Sequence, residues 1–126
     1  MRTCLLVDDS RVIRRVARRI LESLDWLFEE ASDGAEALAL CRGRLPDAVL
    51  LDWNMPVMDG ITFLRLARQE FGPDEPRIML CTTESDISRI VTALEGGAQE
   101  YIMKPFDEAI LAAKLEVLGL LPDEAA

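Results

Sequence analysis

Asp8, Asp9, Asp52, Thr82 and Lys104 are the residues whose types and placement could do chemistry. Each comes at the end of a short apolar run. Asp8 and Asp9 follow Cys4 to Val7, Asp52 follows Ala48 to Leu51, Thr82 follows Ile78 to Cys81, and Lys104 follows Tyr101 to Met103. If these runs are parallel strands of one sheet, their carboxyl ends share a rim, where ligands of open α/β sheets gather. That rim would carry three carboxylates, a hydroxyl and an ammonium. Clustered carboxylates repel, by about 4 kcal/mol for two unit charges 4 Å apart at an effective dielectric near 20. A divalent cation relieves the repulsion, and an all-oxygen set with room for water suits Mg2+ or Mn2+. The cluster then becomes a seat for a phosphoryl group, whose transfer depends mainly on positioning and charge stabilisation. A carboxylate can be the nucleophile, giving an aspartyl phosphate. Lys104 would hold one phosphoryl oxygen as a point charge and Thr82 would donate a hydrogen bond to another.

The segments between these residues must do the positioning, and their patterning predicts alternating strands and helices. After Asp9 the apolar period changes: Val12, Ile13, Val16, Ile20 and Leu24 recur at helical spacing. Trp26 to Phe28 reads as a strand, Asp33-Gly34 as a turn, and Ala35 to Cys41 as a helix. Pro46 opens the strand Ala48 to Leu51, and a loop from Asn54 to Gly60 leads into a helix from Ile61 to about Phe71. Gly72, Pro73 and Pro76 punctuate before a strand from Arg77 to Cys81. A helix from about Ser85 to Glu95 stops at Gly96-Gly97, Tyr101 to Met103 is a last strand, and a final helix runs from about Asp107 to Leu118. Apolar strands alternating with helices imply a parallel sheet covered on both faces. The expectation is one doubly wound α/β domain over residues 1–120, a short tail at 121–126 and no output domain after it.

Composition narrows the function classes. The 126 residues carry a net charge of −9, which argues against DNA binding by this chain. The absence of histidine removes histidine-based general base, metal-ligand and phosphohistidine chemistry. Cys4, Cys41 and Cys81 are odd in number, without CxxC spacing, and embedded in apolar runs, so they read as small buried hydrophobes. No apolar run approaches the roughly 20 residues of a membrane span, and no signal-peptide pattern opens the chain. A cytoplasmic protein without membrane insertion is expected.

The motifs taken in order resemble those of a response-regulator receiver domain of the single-domain, CheY-like kind. The matching stretches are LLVDDS at 5–10, ASDGAEAL at 31–38, LLDWNMPVMDG at 50–60, Thr82 after IMLC, and YIMKPF at 101–106. The resemblance implies a flavodoxin-like, five-stranded parallel sheet in the order 2-1-3-4-5 with five helices. It implies that Asp52 accepts a phosphoryl group from a histidine kinase or phosphotransfer protein, and that Asp8, Asp9, Asp52 and the backbone carbonyl of Asn54 hold Mg2+. Thr82 and Lys104 would sense the phosphate. Tyr101 would change rotamer as the switch is thrown, altering the surface of the fourth helix, fifth strand and fifth helix that controls a partner protein. Lys104-Pro105 is a candidate cis peptide, and Asn54, Thr83 and Glu84 lie where such domains tune hydrolysis. The chain would catalyse only its own phosphorylation and dephosphorylation, as a monomer or a phosphorylation-dependent dimer. An aspartyl-phosphate phosphohydrolase is the rival reading, but those enzymes usually carry a second acid where Asn54 stands.

Arg11, Arg14, Arg15, Arg18 and Arg19 fall at i, i+3, i+4, i+7 and i+8 and so share one helical face. That stripe is a solvated face balancing an acidic protein, a docking surface for the phosphoryl-donating partner, or a site for an anionic ligand met by the guanidinium fork. Ile110, Leu111, Leu115 and Leu118 read as a core stripe of the last helix.

Overall fold

The computed structural model describes residues 1–83 and 86–120. Five strands and five helices alternate: β1 Thr3–Val7, α1 Arg11–Ser23, β2 Leu27–Ala31, α2 Gly34–Gly43, β3 Ala48–Asp52, α3 Gly60–Phe71, β4 Arg77–Thr82, α4 Ile87–Glu95, β5 Glu100–Met103 and α5 Glu108–Val117. All strand pairs are parallel, in the order β2-β1-β3-β4-β5, as expected from the resemblance. The order reverses between β1 and β3, so their carboxyl ends open onto a common crevice.

The central strands are apolar throughout because both of their faces are covered. Leu5, Val7, Val49, Leu51, Ile78 and Leu80 pack into one core with Ala37, Leu38, Phe63, Leu64, Ile90 and Ala93 from α2, α3 and α4. The alternate residues Cys4, Leu6, Leu50, Met79, Cys81 and Ile102 pack against Ala17, Ile20, Leu21, Leu111 and Leu115 of α1 and α5. A period of two is thus hidden inside runs that look uniformly hydrophobic. All three cysteines are free and buried, as expected, and burial pushes the Cys4 and Cys81 thiols up to about 12 and that of Cys41 to about 11.

Several boundaries differ from the sequence pattern for identifiable reasons. The second strand begins at Leu27, since Trp26 is swallowed by the α1/α5 core before the strand starts. Asp33 caps a helix instead of making a turn, accepting from Glu36 N at 2.8 Å, and Asp59 at the end of its loop caps the next, accepting from Thr62 N at 3.0 Å. On α1, Val12 and Val16 are exposed, and the buried stripe is Ala17, Ile20 and Leu21. On α5, Leu111, Leu115 and Leu118 are core but Ile110 is exposed. Lys104-Pro105 is cis as expected, and Glu75-Pro76 is cis as well. The fourth helix runs from Ile87 with Asp86 as its capping residue, and Ser85, where its pattern placed the start, lies outside the described residues. The expected tail at 121–126 and Glu84 lie outside the described residues.

Candidate functional site

At the β1/β3 crevice, Asp8, Asp9 and Asp52 each bring a carboxylate oxygen within 4.8 Å of the others. Asp8 is buried because it leaves β1 beneath the start of α1, and two bonds fix it. Ser10 N donates to its Oδ1 at 2.9 Å, while the Lys104 ammonium reaches its Oδ2 at 3.1 Å. Ser10 also accepts from Ile13 N, so the residue that caps α1 ties the helix to the acidic site. Asp9 is exposed and faces solvent at the mouth.

Asp52 is the last residue of β3, and both bonds to it land on one oxygen. Trp53 N donates to Oδ1 at 2.9 Å and Lys104 Nζ at 3.2 Å. Among the described residues no donor reaches Oδ2, which leaves that oxygen free to react. Burial raises the Asp52 pKa, the charge of Asp8 raises it further, and the field and hydrogen bond of Lys104 with the Trp53 amide only partly oppose them. Burial alone would lower the Lys104 pKa, but the Asp52 and Asp8 carboxylates, with the hydrogen bond to Asp8, outweigh it and hold the ammonium above its usual value. Lys104 is therefore a fixed positive charge straddling two carboxylates. Gly60 closes the floor: an added Cβ there would lie 2.2 Å from the Asp52 carbonyl oxygen, and Gly60 N donates to Trp53 O at 2.8 Å. Only glycine lets α3 start this close to the end of β3.

Three carboxylates with one ammonium leave net negative charge, and the donors are oxygens only. That chemistry fits a hard divalent cation such as Mg2+. Asn54 is exposed just beyond Asp52.

The other expected site residues divide into those that join this cluster and those that do not. Thr82 is buried at the end of β4, and its hydroxyl donates to Asp86 Oδ2 at 3.4 Å rather than to Asp52. Thr83 is exposed and donates to the same oxygen at 2.9 Å. Tyr101 is half-buried on the edge strand β5, with the Lys114 ammonium 4.1 Å from its ring centroid and Lys114 paired to Glu100. The arginine stripe splits. Arg14 turns inward, donating to the Asp8 carbonyl and to Glu30 Oε1 at 3.1 Å, and Arg18 pairs with Glu30 at 3.3 Å over the Phe28 ring. Arg11, Arg15 and Arg19 are exposed.

Sequence reasoning missed three participants: Arg14 as a brace on Asp8, Asp86 as the partner of Thr82, and Arg89, whose guanidinium lies 5.2 Å from the centroid of Trp53. Asp86 carried a legible signal, an aspartate directly before an apolar helical stripe. Arg14 carried none, because its helical position is only about 60° from exposed Arg11 on the stripe.

The family model described as "Response regulator receiver domain" matches residues 4–116. The chain is 40% identical over 122 residues to Response regulator MprA of Mycobacterium sp. (strain KMS), a match covering 95% of this chain and 52% of the relative. It therefore spans about half the length of the curated relatives it matches. Its fold superposes on the chemotaxis response regulator CheY4 of Vibrio cholerae with a TM-score of 0.85 at 32% identity, covering 94% of this chain and 98% of that one. A CheY-like receiver domain protein from Methanospirillum hungatei JF-1 gives a TM-score of 0.85 at 29% identity, covering 94% of each chain.

Proposed function

The chain belongs to the response regulator receiver domain family of two-component signalling, and from that premise we propose that Asp52 is its phosphoryl acceptor. The observation that carries the proposal is the asymmetry of Asp52: Oδ1 is pinned by Trp53 N and Lys104, while Oδ2 accepts no hydrogen bond among the described residues. In the reaction, Oδ2 attacks the phosphorus of a phosphohistidine on a kinase or phosphotransfer protein. The new O–P bond forms as the N–P bond breaks, and the electron pair leaves with the imidazole of the donor. Mg2+ held by Asp8, Asp9, Asp52 and the Asn54 carbonyl would supply charge neutralisation for the phosphoryl oxygens. Lys104 already sits 3.2 Å from Oδ1, so it is placed to hold a phosphoryl oxygen once the group arrives. The product adds roughly −1.5 to −2 charges at the rim. Thr82 then donates to the phosphoryl group, Tyr101 repacks, and the α4–β5–α5 surface changes for a downstream protein.

Docking of the donor is supported by what lies beside the crevice. Arg11, Arg15 and Arg19 are exposed, with no ion pair among the described residues, and exposed Val12 and Val16 adjoin an apolar notch formed by Ile13, Val16, Pro105 and Phe106 next to Lys104. An apolar patch rimmed by cations suits an acidic, amphipathic helix of the donor protein.

The test is intact mass measurement after incubation with Mg2+ and acetyl phosphate, beside Asp52→Asn. A phosphoryl adduct on the native chain that is missing from Asp52→Asn is expected. No adduct on either would sink the assignment.

A further inference from the structure

Four of the five helices are capped by a side chain: Ser10, Asp33, Asp59 and Asp107 each accept from the amide three residues on. The exception is α4. Its capping residue, Asp86, is of a type strongly favoured for the role, yet its carboxylate makes no capping bond. Its Oδ2 accepts instead from the hydroxyls of Thr82 and Thr83, at 3.4 and 2.9 Å. The amide that the carboxylate would take, Arg89 N, is left to the main-chain carbonyl of Asp86 at 3.0 Å. That carbonyl also receives Ile90 N at 3.2 Å. One carbonyl thus serves two amides, while the group suited to one of them is occupied elsewhere.

We infer that Asp86 is a latch that holds Thr82 away from the acceptor site and, on release, becomes the cap of α4. The inference rests on the phosphoacceptor reading given above. Thr82 has one hydroxyl proton to donate, so it bonds either Asp86 or a phosphoryl oxygen. At 3.4 Å its bond to Asp86 is long, and a phosphoryl oxygen draws it away. With one of its two hydroxyl donors gone, the Asp86 carboxylate turns to Arg89 N and secures the first turn of α4. The same movement reaches the acceptor strand, since Asp86 lies 4.0 Å from the Arg89 guanidinium that covers Trp53. The event at Asp52 is in this way read as order at the start of α4, one of the elements of the output surface.

Amide hydrogen exchange at Arg89 tests the latch, with far-UV circular dichroism checking that each variant is folded. In the native chain, phosphorylation by acetyl phosphate with Mg2+ should slow Arg89 exchange by about five- to tenfold, the worth of a side-chain cap. Asp86→Ala should still take the phosphoryl group but show no such slowing. The decisive variant needs no phosphate at all. Thr82→Val with Thr83→Val removes both hydroxyl donors while keeping their bulk, and should slow Arg89 exchange in the resting protein. Were these hydroxyls merely structural, their loss would speed exchange. Unchanged or faster exchange in the double variant overturns the latch, as does an equal phosphorylation-linked slowing in Asp86→Ala. Failure of every chain to take a phosphoryl group would overturn the acceptor assignment, while the unphosphorylated double variant would still decide the latch.

Discussion

Replacing Asp52 by Asn should stabilise the metal-free protein at neutral pH, although it removes an ion pair. Lys104 Nζ is 3.2 Å from Asp52 Oδ1, which corresponds to about 5 kcal/mol of attraction at an effective dielectric near 20. The Asp8 and Asp9 carboxylates approach within 4.8 Å, and each repels Asp52 by about 3.5 kcal/mol on the same scale, that of exposed Asp9 being the more screened. The charges therefore nearly cancel, and burial decides the balance, as the raised Asp52 pKa indicates. Asn keeps an oxygen for the Trp53 amide, so relief of the buried charge should give about 1–2 kcal/mol, or roughly 4–10 °C in Tm for a domain of this size. The pH dependence has a definite sign. A carboxyl whose folded pKa is raised contributes stability that is present below its unfolded value and lost as pH rises through the folded one. The advantage of Asp52→Asn should therefore be complete at neutral pH and should close as the solution is acidified through the raised value. Urea denaturation with a chelator between pH 4 and 7.5 measures both effects. A cation bound only by the folded site adds about 2.7 kcal/mol at a hundredfold excess over its Kd. Saturating Mg2+ should therefore favour the native chain and reverse the ranking. If the native chain is the more stable one at pH 7 in chelator, or if the gap ignores pH, the account of the site's electrostatics is wrong.

Other outcomes follow from single features. Val57 is a β-branched residue with φ +67° in the loop after the acceptor and is 86% exposed, so Val57→Asn should raise stability by about 1 kcal/mol in urea denaturation by relieving left-handed strain. Gly60→Ala should cost about 2 kcal/mol through overpacking, because its Cβ would meet the Asp52 carbonyl; the same denaturation curves check it. Replacing Arg11, Arg15 and Arg19 by Ala should slow phosphoryl transfer from the protein donor at least several-fold at low salt while leaving labelling by acetyl phosphate unchanged. Equal transfer rates would make these arginines a solvated face only.

The sheet was legible because parallel strands covered on both faces leave unbroken apolar runs, and each run ended at a polar residue that marked the rim. What spacing could not resolve was rotation about a helix axis. Val12 and Val16 fit the apolar period of α1 as well as Ala17 and Leu21 do, yet the first pair is exposed and the second buried. Hydrophobicity ranks valine above alanine, whereas close packing of α1 on the sheet selects the small Ala17. Arg14 and Arg15 are identical in type, but one braces the Asp8 carbonyl and the other is exposed. A sequence states that Thr82 bears a hydroxyl; which acceptor receives its proton depends on where the β4–α4 connection places Asp86.

That last point bears on how such a site can be both strained and usable. The acidic cluster places Asp52 where burial and Asp8 disfavour its charge, and a neutral core residue would be better tolerated there. The cost falls at the carboxylate proposed to react, and a cation and a phosphoryl group would both relieve it. Thr82 and Asp86 show the complementary arrangement, a hydrogen bond of 3.4 Å held in place of a better cap for α4. Each half of the resting state thus forgoes an interaction that the other half can restore. On the proposed reading, phosphorylation would move this domain because the resting arrangement leaves stabilisation unclaimed at both Asp52 and the start of α4.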